Sequence, residues 1–96
     1  MKLMTKAIEN KIPRLGETEG KEQIVYVKYF NPCGSGTWYG IEYDPKDKLF
    51  FGCVNLCGDW EYGYFSLTEL ENIKLMFGLG IERDLYFKPT NINDLI

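Results

Sequence analysis

The sequence predicts an α+β fold, and three observations carry that expectation. Four runs rich in β-branched and aromatic residues follow one another between Gln23 and Leu67, and turns rich in Gly, Pro, Asn or Asp separate them. A helix signature then opens at Ser66. The chain has 96 residues, 45% hydrophobic and 16% aromatic, which suits one modest core and a single domain over 1–96. The expected architecture is an antiparallel sheet of four to five strands. One main helix over 66–77 packs on one face, and a short N-terminal helix accompanies it.

Taken in order, Thr5 is a suitable N-cap for a short helix from Lys6 to Lys11, and Pro13 ends it. Arg14 to Glu22 is polar with two glycines and reads as a loop. Gln23–Phe30, QIVYVKYF, is the first strand, and Asn31–Gly36, NPCGSG, is a turn. Thr37–Asp44, Leu49–Cys57 and Glu61–Leu67 supply three more strands. SLTE, from Ser66 to Glu69, forms a capping box in which each side chain meets the other residue's backbone N–H. Leu70, Ile73, Met76 and Phe77 form an apolar stripe at helical spacing, and Gly78 sits where a helix-ending glycine belongs. Ile81–Phe87 reads as extended, Pro89 stops it, and the last residues form one turn.

Composition excludes several function classes. The chain has no histidine, which removes Ser–His–Asp and Cys–His catalysis, the HExxH zinc site and any histidine proton shuttle. Net charge is −3 but uneven. Residues 1–28 hold six Lys and Arg against four carboxylates, while residues 29–96 hold five against ten. The acidic body argues against direct nucleic-acid binding. No apolar run approaches the roughly 20 residues of a membrane helix. The N-terminus also lacks the apolar core of a secretory signal, so a cytoplasmic protein without membrane association is expected.

Candidate sites are few. Glu42 with Asp44, and Glu82 with Asp84, have i, i+2 spacing that places each pair on one side of a strand. Four such carboxylates suit Mg²⁺, and a small metal-dependent enzyme is therefore one alternative reading. The plainer one is exposed acids neutralised by Arg83 or a lysine. Zinc through Cys33, Cys53 and Cys57 meets a spacing problem, because four extended residues separate the last two by about 13 Å. Small buried or turn cysteines are the simpler account. NPCGSG lacks the lysine and following helix of a phosphate loop. No cofactor is implied, and no metal site.

The aromatics are more informative, since twelve of fifteen fall between Tyr26 and Phe65. Strict alternation places Tyr39, Ile41 and Tyr43 on one face and Trp38, Gly40 and Glu42 on the other. Such a surface, with Trp38, Trp60 and Tyr62 beside acids, suits a protein partner. A second small core under the Arg14–Glu22 loop explains the same pattern. Arg83 is a cation on the more apolar side of its segment, so it is expected to ion-pair with Glu42 or Glu69 and fix that segment to the sheet. Arg83, Ser66 and Glu69 are thus structural candidates.

The run TWYGIEYD, FFG, GYFSLTELE and FGLGIERDLYFKPT, with the opening LMTKAIENKIPRL, resembles a family of short bacterial proteins. The family is catalogued as a domain of unknown function, number two-nine-five-eight. The resemblance covers nearly the whole chain and implies a setting on plasmids, conjugative elements or phages. It carries no catalytic residues. The leading expectation is a non-enzymatic interaction domain of a mobile element. Its most concrete form is an anti-defence, anti-CRISPR-like inhibitor that binds a host protein such as a defence nuclease. A nucleic-acid accessory role through the basic first 28 residues is the remaining alternative.

Overall fold

The computed structural model describes residues 1–96, and it is an α+β fold. Five antiparallel strands form the main sheet in the order β5-β4-β3-β2-β6. These are β2 (Val27–Phe30), β3 (Thr37–Asp44), β4 (Leu49–Asn55), β5 (Trp60–Ser66) and β6 (Glu82–Arg83). A separate two-stranded ribbon joins β1 (Ile24–Val25) to β7 (Thr90–Asn91). The helices are α1 (Lys6–Lys11) and α2 (Leu67–Asn72). No helix is long and apolar enough to cross a membrane.

Both faces of the sheet are covered, each by a different set of segments. On the first face Val27, Tyr29, Trp38, Tyr43 and Phe50 pack with Leu3, Ile12, Leu67, Leu70 and Ile81. The Tyr29 hydroxyl is buried there and donates to the Leu3 carbonyl at 2.7 Å, so the N-terminal segment is pinned by a polar contact as well as by apolar area. On the second face Tyr39, Ile41 and Cys53 pack with Val25 and Ile92, and Trp60, Phe87 and Leu95 close the edges.

One irregularity decides which residues face where. The β3–β4 register shifts between Gly40 and Glu42, leaving Ile41 as the extra residue of a bulge. A one-residue insertion reverses the alternation beyond it. Trp38 and Tyr43 therefore share the first face, and the pairing of Trp38 with Glu42 expected from strict alternation is wrong. The Tyr26 N–H donates to the Gly40 carbonyl at the same place, and the chain there breaks the expected Gln23–Phe30 strand into β1 and β2. Gly52 makes the approach possible, since a Cβ on it would lie 1.8 Å from the Tyr39 carbonyl oxygen.

The expected main helix is also much shorter. Ser66 caps it as foreseen, accepting from the Glu69 N–H at 3.2 Å, but α2 ends at Asn72 and the Glu69 side chain stays in solvent. Short helices have little stability of their own, so tertiary contact sets their length. Extended backbone from Ile73 turns both Ile73 and Leu75 onto the first core and leaves Lys74 and Met76 outside. That period-two pattern outweighs the helical stripe. Phe77, expected in the core, is 92% exposed.

The segment Ile81–Phe87 is extended only at Glu82 and Arg83, which pair with Phe30 and Tyr29. Asp84 then makes an Asx turn, its carboxylate accepting from the Tyr86 N–H at 2.9 Å. The chain crosses here from the first core, which holds Ile81, to the second, which holds Phe87. Arg83 has no carboxylate within ion-pair distance, contrary to expectation. Its Nε donates to the Lys2 carbonyl at 3.1 Å instead, tying β6 to the N-terminal segment. Replacing Arg83 with Met is expected to cost about 1 kcal/mol, one charged hydrogen bond at a partly solvated position. Urea unfolding of the two proteins checks it, and a loss above about 3 kcal/mol would restore a buried ion pair.

Candidate functional site

The carboxylates singled out in the sequence do not come together. Glu42 is buried, 5% exposed, beneath the Arg14–Glu22 loop. The Gly16 and Thr18 N–H groups each donate to it at 2.8 Å, and the Thr18 hydroxyl donates a third bond. Burial pushes its pKa up, but the Thr18 hydroxyl and the two backbone donors outweigh that and hold it below the usual carboxylate range. Glu42 is thus the clasp of the loop rather than an exposed acid. Asp44 caps the next turn, accepting from the Lys46 N–H at 3.0 Å. Asp84 lies near Lys28, 3.9 Å from its Nζ, and Glu82 stands half-buried opposite Phe30.

No three Asp, Glu or Cys side chains gather closely enough to hold a metal ion. Cys33 and Cys57 are exposed in different turns, while Cys53 lies in the second core. Burial pushes the Cys53 thiol up, the reverse of what a nucleophile needs. The basic first 28 residues are partly engaged as well. Lys6 pairs with Glu9, Lys28 with Asp84, and Arg14 Nη1 donates to the Glu9 and Ile12 carbonyls.

Of the aromatic candidates, Trp38 is buried in the first core. Trp60 stacks flat on Tyr39, with ring centres 4.7 Å apart and planes 6° from parallel. Tyr62 remains available at 53% exposure, and the structure adds Tyr64 beside it at 66%. Both rings meet Phe51, at 6.1 and 5.3 Å. They stand on β5, the outermost strand of the sheet. A concavity of about 410 Å³ lies next to them, bordered by Gly16, Thr18, Gln23, Glu42, Phe51 and Tyr64.

A second surface had no signal at the helical period. After α2 the chain makes a tight loop, closed by the Leu75 N–H donating to the Leu79 carbonyl at 2.8 Å. At its tip Phe77 adopts left-handed backbone, φ 59 and ψ 26, and Gly78 follows at φ 72. Met76 and Leu79 flank the ring and are 65% and 42% exposed. A concavity of about 590 Å³ adjoins the loop, lined in part by Leu3, Leu70, Ile73, Leu79 and Ile81. The sequence clue to this finger was the pair Gly78 and Gly80, two permissive residues inside an apolar run.

Fold and surface together define a small α+β domain with an open aromatic edge strand and a projecting apolar finger. The chain belongs to the family described as Protein of unknown function (DUF2958), which it matches over residues 2–93. No curated protein matches the chain, and no solved structure does.

Proposed function

We propose that this protein is a non-enzymatic interaction domain that holds a protein partner through the Phe77 finger. One observation carries the reading: a bulky aromatic residue sits in left-handed backbone and is 92% exposed. That backbone costs about 1–2 kcal/mol for a residue with a Cβ. The ring recovers almost nothing from its own chain, so the fold gives no reason for phenylalanine there. Lys48 adopts the same backbone in the β3–β4 turn, but strained residues cluster at functional sites, and Phe77 adds an exposed ring. Aromatic anchors that enter a partner's pocket dominate interface energies. Met76 and Leu79 would extend the contact around the ring.

The more specific reading is an inhibitor of a host defence nuclease, carried by a mobile element. Its support is the family resemblance and the acidic balance of residues 29–96, which suits the basic channel of a nucleic-acid enzyme. Capture from host lysate with the wild-type and Phe77→Ser proteins tests the interaction. The expected result is a partner retained by the first and lost by the second, with both equally folded by circular dichroism. Adding the protein to the captured enzyme then tests inhibition, and undiminished cleavage would remove the nuclease reading while leaving the interaction domain standing. Capture that ignores Phe77 would remove the anchor.

A further inference from the structure

The sheet has one long open edge, β5, and that edge lacks the features that usually keep edges from pairing. Trp60–Ser66 contains no proline and no lysine, and its register with β4 is unbroken from Leu49↔Ser66 to Asn55↔Trp60. Its only charge is Glu61. The opposite edge, β6, is two residues long and contains Glu82 and Arg83. An open strand presents a row of N–H and C=O groups spaced for another extended chain.

The strand's own side chains say which chain. Tyr62 and Tyr64 are placed symmetrically about Gly63, the central residue of the strand, and both are more than half exposed. Nothing obstructs the strand at its centre, since even a Cβ built on Gly63 would meet nothing within 4 Å.

We propose that β5 pairs antiparallel with β5 of a second copy, about a twofold axis at Gly63. The two sheets then run on as one. In this register Tyr62 faces the partner's Tyr64 and Trp60 faces the partner's Ser66, while Glu61 faces the partner's Phe65. The strand is therefore self-complementary, as a twofold interface requires, and no like charges stand directly opposite each other. The inference is independent of the Phe77 finger, because it concerns a different strand and reads oligomeric state rather than partner capture.

The test uses sedimentation equilibrium on the wild type, on a Tyr62→Lys, Tyr64→Lys variant and on a Tyr62→Glu, Tyr64→Glu variant. The wild type is expected to be dimeric at high micromolar concentration. Each variant alone sets like charges face to face and should be monomeric, and an equimolar mixture should restore a dimer. Hydrogen exchange on the wild type alone provides a second reading, in which β5 amides become protected as concentration rises. A monomeric wild type, variants that dimerise as the wild type does, a mixture that stays monomeric, or β5 exchange independent of concentration would each overturn the proposal.

Discussion

Replacing Glu42 with alanine is expected to destabilise the domain by about 3–5 kcal/mol, a large share of the roughly 5–15 kcal/mol available to a small domain. The carboxylate is the sole acceptor that draws the Gly16 N–H, the Thr18 N–H and the Thr18 hydroxyl onto the sheet. Hydrogen bonds to a charged acceptor are worth about 1.5–3 kcal/mol each, and donors left buried without a partner add a desolvation cost. The loop can relax outward to reach water, which limits the total. Chemical unfolding monitored by tryptophan fluorescence measures it. Glu42→Gln keeps one acceptor but turns an N–H₂ group toward a donor, and an intermediate loss is expected.

The same contact sets a pH dependence. Since the folded-state pKa of Glu42 is lowered, its stabilisation is fully present above the unfolded carboxylate range, about pH 4.3. It is lost as pH falls from there through the folded value. Stability of the wild type should therefore drop on acidification in that window, and Glu42→Gln should lose that component of the slope. Identical acid limbs in the two proteins would show that the loop is held by something else.

Gly52→Ala is expected to cost about 3 kcal/mol or more, the second of the large effects. The new Cβ would stand 1.8 Å from the Tyr39 carbonyl oxygen and 2.9 Å from its carbon. Both belong to backbone, so no rotamer change relieves the clash. Relief requires opening the β3–β4 ladder beside the bulge, where the two core faces are assigned. Gly34→Ala in the β2–β3 turn is the control. A Cβ there meets nothing, its φ is not positive, and a change within about 0.5 kcal/mol is expected. Equal costs at the two positions, read from urea midpoints, would mean that the close approach at the bulge is not a stability determinant.

Local features of this fold are legible in the sequence, and features set by distant contacts are not. The strands were legible because Val, Ile, Tyr, Phe and Trp cluster between turn residues, and such runs have few other solutions. Thr5 and Ser66 were legible as caps because capping is local. The sequence leaves Glu42 open between a contact acid, a partner for Arg83 and a place under the Arg14–Glu22 loop, because a bulge at Ile41 reverses alternation and leaves only a faint trace in Gly40 and Gly52. Its donors also lie more than twenty residues away, in a loop that looked merely polar. Arg83 stands on the more apolar side of its segment, where an acid partner is the natural expectation, but it is only half-buried and its partner is a backbone carbonyl, which composition cannot reveal. Of the expected contact residues, Tyr62 keeps an open aromatic surface and Trp60 half of one, whereas Trp38 belongs to the core. Phe77 was hidden because Leu70, Ile73 and Phe77 fit a helical period equally well.

The interaction reading makes one demand that no purely structural role for Phe77 shares. Glycine adopts left-handed backbone freely, so Phe77→Gly relieves strain and sacrifices a ring that is already in water. Thermal unfolding and partner capture measured side by side on wild type and Phe77→Gly test this directly. The variant is expected to be at least as stable as the wild type, by up to about 1 kcal/mol, and no longer to retain the partner. A variant that loses more than about 1 kcal/mol of stability, or that keeps its partner undiminished, would contradict it.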